Sequence, residues 1–270
     1  MRWRKERPMR INRYLAKCGL ASRRKAEDYI RAGRVMVGGE VLRDLSYQVQ
    51  AGDCIRVDGK EVRMEEEVFF LYHKPVKVLV SHHDPFHSRL IYDDLPKMDS
   101  LFGVGRLDFD SEGLLFVTNR GGLAQTIAHP SYQMEKEYWV FLDHPLPAID
   151  EAWTRAGLTF RGIHYRPDHL EFLTKEEIDG CSYALTDWPP EGSGNGQLVK
   201  IILHEGKKRE VRRFFQGLGY EVIRLIRVRL GPLNIGGLRA GQYRPARPEE
   251  ISALEEWASM VRKGNNYDGK

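Results

Sequence analysis

Two rhythms of apolar positions divide the chain. Over residues 10–34, Ile11, Tyr14 and Leu15 recur at helical spacing, "CGL" stops that helix, and a second carries Ala26, Tyr29 and Ile30. Ser22 is placed to cap the second helix and Gly33 to end it. Short extended pieces follow, "RVMVGGEVL" turning at Gly38-Gly39 and "DCIRVDG" turning at Asp58-Gly59. Together these predict a compact helix-plus-hairpin domain over residues 9–58.

Residues 59–67 are polar and acidic and read as a linker. Beyond Val68 the spacing predicts strands at 68–72, 77–81, 114–118, 136–142, 198–204 and 221–229, and helices at 121–128, 148–155, 207–218 and 248–262. Runs of strands with interspersed helices, without strict β–α alternation, indicate an α+β domain over 68–250. Its sheet is expected to be mixed and largely antiparallel, with flanking helices. "WPPEGSGNGQ" (188–197) reads as a loop between two strands, and residues 251–270 as a C-terminal helix ending in a disordered tail, "KGNNYDGK".

Charge changes this picture more than composition does. The net charge is only +4, yet residues 1–34 hold twelve Lys/Arg against three acids, and residues 205–229 hold eight against three. A solvated face usually mixes its signs; two one-sided blocks point to a polyanion, with nucleic acid first. In the N-terminal block Arg10, Arg13, Arg23, Arg24, Lys25, Arg31 and Arg34 lie mainly on the two helices, where they would meet phosphates together. No apolar run exceeds five residues, and the basic start lacks the apolar stretch of a secretory signal, so a cytoplasmic protein is expected. Cys18, Cys54 and Cys181 are odd in number and widely spaced, which argues against disulfides and against zinc.

Candidate chemistry concentrates in "GVGRLDFDSEGLLFVTN" (103–119). Asp108, Asp110 and Glu112 would share one face of an extended strand, as a metal cage or an acid/base pair would require. "DFDSEGLL" also reads as a turn entering a buried strand, with Asp110 and Glu112 in solvent. Asp108 follows the tight apolar "GVGRL", so it sits at the rim of the core and needs a cation or donors; Arg212 in "GKKREVRRFF" is a candidate partner. Tyr138 in "MEKEYWVFL" alternates with Lys136 and Val140 along a strand and reads by itself as a core aromatic. The basic helix buries Val211, Phe214, Phe215 and Leu218 and leaves Lys207, Lys208, Arg209 and Arg213 outward, ending at Gly217 or Gly219. The loop "SHHDPFHS", with His82, His83 and His87, offers no regular element to preorganise a metal, and none is expected.

"GRLDFDSEGLLFVTNRGGLAQTIAHP", "KEYWV" and "EGKKREVRRFFQGLGYEVIRLIRVRLGPL" resemble, in order and spacing, the signature segments of the RsuA/RluB/RluE/RluF family of pseudouridine synthases. The leading fifty residues resemble the S-four-type RNA-binding domain that often precedes that catalytic domain. The resemblance implies isomerisation of a uridine within ribosomal RNA, 23S ahead of 16S, by C–N cleavage, rotation of the base and reattachment through carbon. It implies Asp108 as the catalytic carboxylate, either nucleophile or base at the sugar, Tyr138 stacking on the target base, and Arg212 paired with Asp108. Arg106, Lys136, Lys207, Lys208, Arg209 and Leu225 become candidate substrate contacts, Leu225 as an apolar wall. A redox-neutral isomerisation needs no cofactor, and a monomer is expected. The chain departs from the family pattern where Lys208 and Glu210 replace an expected Asn and Gln; Glu210 would put a negative charge beside the RNA. The competing reading is a non-catalytic RNA-binding or ribosome-assembly factor that keeps the fold.

Overall fold

The computed structural model describes residues 9–86, 88–180 and 196–265. The chain folds as two units: residues up to Val68 with Pro96–Phe102, and Phe69–Leu95 with the rest from Gly103.

In the first unit, helices Ile11–Lys17 and Arg23–Arg31 pack on a small sheet ordered Glu40–Val41, Val35–Val37, Ile55–Val57, Lys60–Glu61. Ser22 Oγ accepts the Lys25 N–H at 3.3 Å, the expected cap. Ile11, Leu15, Ala26, Ile30, Val35 and Ile55 form the core. Residues 60–65, read as linker, are bonded into this unit: Lys60–Glu61 pairs with Ile55–Val57, and the Glu65 N–H donates to Lys17 O at 3.1 Å.

The second unit is built on one mixed sheet. Its order is His169–Phe172, Gln197–Leu203, Lys136–Leu142, Val222–Leu230, Glu112–Thr118, Phe69–Lys74, Tyr243–Pro245. Only the Val222–Leu230/Glu112–Thr118 pair is parallel; all others along this order are antiparallel. Strand 112–118 is central and buried along its whole length, which accounts for its unbroken "LLFV". Helix Glu210–Gly217 covers one face, burying Val211, Phe214 and Phe215 against Val140, Val199, Ile201 and Leu225. Gly219, at φ +92°, ends that helix, and the Tyr220 N–H bonds Phe215 O. Helices Gly121–Ala128 and Pro248–Asn265 are linked by the Arg120–Glu255 ion pair at 2.5 Å.

Several expectations are corrected. No strand forms at 77–81; one bridge, Leu79 to Leu90, replaces it, because Pro75 and a left-handed Lys77 (φ +61°) turn the chain away from the sheet. The helix expected at 148–155 is only Glu151–Arg155, and that at 207–218 starts at Glu210 because Arg209 is left-handed (φ +53°). The Leu158–Phe160/Ile163–Tyr165 hairpin has no counterpart in the sequence pattern, since its turn carries a left-handed Arg161 (φ +51°) where Asn would announce it. The C-terminal helix runs to Asn265, three residues into the expected tail; residues 266–270 lie outside the described residues, as do His87, Cys181 and most of the 188–197 loop. No helix among the described residues is long and apolar enough to cross a membrane.

Candidate active site

The stretch 108–111 is a turn, not an extended strand, and every one of its backbone carbonyls is engaged. Asp108 O accepts from the Ser111 N–H (3.1 Å) and Phe109 O from the Lys77 N–H (2.7 Å). Asp110 O accepts from Arg212 Nη2 (2.6 Å) and Ser111 O from Lys74 Nζ (2.8 Å). Four donors from four places in the chain thus fix the backbone that carries Asp108. The Asp108 carboxylate itself is half-buried and makes no hydrogen bond or ion pair among the described residues.

The two acids expected in solvent are instead the structural ones. Asp110 receives both Arg209 Nη1 and Nη2 (2.9 and 2.7 Å), and Arg212 Nε stands 3.2 Å from its Oδ2. Burial opposes its ionisation, but the Arg209 hydrogen bonds and the Arg212 charge outweigh that and hold its carboxyl below the usual range. Arg212 therefore pairs with Asp110 and not with Asp108, a correction to the expected pairing. It also donates Nη1 to Val222 O at 2.7 Å, and the Asp108 charge acts on it electrostatically without a direct bond. Glu112 is buried in an ion pair with Arg224, its other oxygen 3.9 Å from His73 Nε2. Burial lowers the His73 pKa, so that imidazole stays neutral and its approach to Glu112 is not ionic.

Lys74, fully buried, is the group that residue patterns alone missed. Its Nζ bonds Pro75 O and Ser111 O, both at 2.8 Å. Desolvation pulls its pKa down to about 8, although Glu112, Asp110 and Asp108 all pull upward. The available signal was a His and a Lys ending the apolar strand "FFLYHK": charged residues seldom occupy such positions without partners.

One row crosses the sheet at this level. Tyr138 pairs with Arg227, Arg227 with Gly113, and Gly113 with Lys74. A register shift between Glu137 and Tyr138 places their partners, Arg229 and Arg227, two residues apart. Arg229, directly opposite Glu137, pairs with it at 2.9 Å. Gly113, at φ +115°, is required: a Cβ there would lie 2.4 Å from the backbone of Arg227. Tyr138 is half-buried against the core under helix 210–217, and Leu225 is buried in that core beside it. The row brings Tyr138 and Lys74 to the level at which the Asp108 turn enters strand 112–118.

The basic segment is less open than expected. Lys208 is exposed, but Lys207 Nζ bonds His164 O (2.8 Å) and pairs with Glu205, and Arg213 reaches Tyr165 Oη at 3.4 Å. Lys136 Nζ is turned inward onto Met134 O and His204 O (2.7 and 2.9 Å), and burial lowers it to about 8. Glu210, expected as a charge facing the RNA, is buried; its Oε2 accepts the Lys207 N–H at 2.9 Å and burial raises its pKa. Arg106 is exposed. In the first unit Arg10, Arg13, Arg23, Arg24 and Lys25 are exposed without ion pairs among the described residues. Arg34 is committed to Asp58 (2.9 and 2.5 Å) and stacks 4.0 Å over Tyr29, while Arg31 faces Glu27 and Asp28. His82 stacks on Tyr92, and no metal-holding cluster occurs among the described residues.

A buried mixed sheet with a pinned carboxylate turn and a basic helix-and-hairpin module are the parts expected of an RNA-modifying enzyme with an RNA-binding domain. Family models agree: residues 9–55 match the S4 domain, and residues 68–217 match the RNA pseudouridylate synthase domain. The chain belongs to the RNA pseudouridylate synthase family, whose members are isomerases. It is 33% identical over 249 residues to an uncharacterized RNA pseudouridine synthase of Aquifex aeolicus, covering 91% of this chain and 93% of the relative. It is 32% identical over 250 residues to ribosomal large subunit pseudouridine synthase B of Bacillus subtilis, covering 92% and 96%. A crystal structure of a pseudouridylate synthase superposes with a TM-score of 0.58 at 27% identity, covering 91% of this chain and 99% of that one.

Proposed function

We propose that the protein isomerises a uridine of 23S ribosomal RNA, with Asp108 as the catalytic carboxylate. The observation that carries this is the pinned turn: a carboxylate without a partner among the described residues stands on a backbone whose four carbonyls are all engaged. Such a carboxylate is ready to act on a sugar brought to it, because it has no ion pair to break first. The C1′–N1 bond breaks and its electron pair goes to the uracil. The ring turns, C5 bonds to C1′, the proton on C5 leaves, and N1 gains one. Tyr138 lies against the base during this turn. Arg212 acts at one remove, holding Asp110 and the turn so that Asp108 keeps its place.

A uridine inside folded RNA reaches the site only when flipped out, at about a few kcal/mol. Arg10, Arg13, Arg23, Arg24 and Lys25 of the first unit, with Lys208 and Arg106 of the second, supply phosphate contacts toward that cost. The large-subunit target is supported by the Bacillus subtilis relative, named for that activity. Ribosomal RNA sets the cytoplasm as the place of action, and the enzyme acts there as a monomer. Asp108→Asn is expected to abolish pseudouridine formation in ribosomal RNA from cells lacking the protein, while RNA affinity changes less than about twofold. Normal modification by that variant would remove Asp108 from the chemistry.

A further inference from the structure

Phe109 is an aromatic ring in an unusual place. It follows Asp108 directly, stays 44% exposed, and sits on the turn whose four carbonyls are all bonded. Its neighbour Asp110 is clamped by two arginines, and Ser111 is buried, so among the side chains of this turn only Asp108 and Phe109 are left to meet a ligand. The Phe109 carbonyl is bonded by the Lys77 N–H at 2.7 Å, and Lys77 adopts a left-handed conformation (φ +61°) that favours glycine. That bond joins the turn to the 75–77 bend, whose Val76 is likewise 42% exposed. Two cations lie close to these apolar groups along the chain, Lys77 next to Val76 and Arg106 three residues before Phe109. Both are exposed and neither has a side-chain partner among the described residues.

We infer that Phe109, with Val76 and Lys77 on the bend bonded to its carbonyl and Arg106 three residues before it, is a stacking platform for a nucleobase adjacent to the target uridine. The inference rests on the assignment of Asp108 above and adds a second base site to it. Extruding a uridine exposes the face of its neighbour; a phenyl ring carried on that held backbone, one residue from the catalytic carboxylate, offers a replacement surface. The strained Lys77 backbone fits this purpose, because it keeps the ring's own carbonyl in place and leaves the ammonium free for the phosphate that follows the stacked base. An exposed apolar ring with nearby cations that have no side-chain partner among the described residues matches the chemistry of single-stranded RNA, with bases for the ring and phosphates for the charges.

The test compares Phe109→Leu, which keeps apolar bulk but loses the aromatic face, with Phe109→Trp, which enlarges it. The substrate is ribosomal RNA transcribed in vitro and therefore unmodified. Phe109→Leu is expected to lower kcat/KM about tenfold, mostly through KM, with an unchanged melting temperature; Phe109→Trp retains activity within about threefold. In an Asp108→Asn background, where no turnover occurs, the indole introduced by Phe109→Trp should be quenched on adding RNA. Wild-type kinetics for Phe109→Leu would overturn the platform, as would equal losses for both substitutions with no quenching. If Asp108→Asn still modified RNA, the site assignment would fail separately, and the quenching signal would still report whether the ring meets a base.

Discussion

Replacing Asp110 by Asn should separate holding the turn from doing the chemistry. The carboxylate takes two charge-assisted hydrogen bonds from Arg209 and faces Arg212 Nε at 3.2 Å, with Asp110 42% and Arg212 13% exposed. A hydrogen bond to a charged group contributes about 1.5–3 kcal/mol. Exposure at the Arg209 side screens that pair to about 1 kcal/mol. Arg212 is more deeply placed, and stripping a buried charge of its partner costs about 3–5 kcal/mol. It keeps Val222 O and Asp110 O as acceptors, so about 1–2 kcal/mol of that loss remains. The sum is about 2–3 kcal/mol, or a fall in Tm of roughly 5–10 °C at about 2–4 °C per kcal/mol for a unit of this size. A slackened turn misplaces Asp108, and displacements near 1 Å cost on the order of a hundredfold in rate.

Asp108→Asn should show the reverse: turnover lost, Tm within about 1–2 °C of wild type, because no partner is removed. Near-UV circular dichroism melts and pseudouridine formation on unmodified transcript give the two readouts. Acid supplies a control. The Asp110 carboxyl is held low in the folded state, so its stability is present above the unfolded value near 3.8 and lost as pH falls through the folded one. The Tm gap between wild type and Asp110→Asn should therefore close in that acid range. A variant at Asp110 that melts like wild type yet is as inactive as Asp108→Asn would refute the division of labour and move the chemistry to Asp110.

Where neighbours in sequence decide the structure, it was legible. Ser22 and Gly33 bound the second helix, and the 3.6-residue recurrence of Val211, Phe214, Phe215 and Leu218 marks the helix that covers the sheet. The continuous "LLFV" announces a strand buried on both faces. The roles of the acids were not legible, because their partners lie far along the chain. Asp110 meets Arg209 across 99 positions and Glu112 meets Arg224 across 112. An acid at a turn looks solvated until the fold brings a guanidinium to it. The same separation hid Lys74, whose acceptor Ser111 O lies 37 positions away. Its burial inside an otherwise apolar strand was still a readable anomaly.

Four further perturbations test other parts of the structure. Alanine at Arg23, Arg24 and Lys25 together should weaken RNA binding and flatten its salt dependence by roughly 0.7–0.9 log units for each phosphate no longer neutralised. Arg34→Ala should instead lower the stability of the first unit, since Arg34 holds Asp58 and Tyr29; equal salt slopes for both variants would sink this distinction. Lys74 falls from 10.5 to about 8 in the folded chain, so between about pH 8 and 10 the unfolded state binds more protons and folding stability gains with pH. Lys74→Met should remove up to about 1.4 kcal/mol per pH unit of that rise in urea titrations; an unchanged slope would mean that Lys74 does not titrate there. Gly113→Ala addresses the sheet itself. The parallel pairing of strands 112–118 and 222–230 brings Gly113 so close to Arg227 that a methyl group would stand 2.4 Å from both its N and its O. Neither backbone can retreat, because Gly113 is also paired to Lys74 and Arg227 to Tyr138 on their other sides. At φ +115° a side chain is disfavoured in any case, so the two penalties act together. A loss above about 3 kcal/mol is expected, seen as insoluble or premelted protein. Full activity and an unshifted melt would show that the row carrying Tyr138, Arg227 and Lys74 is not as tightly drawn as its register requires.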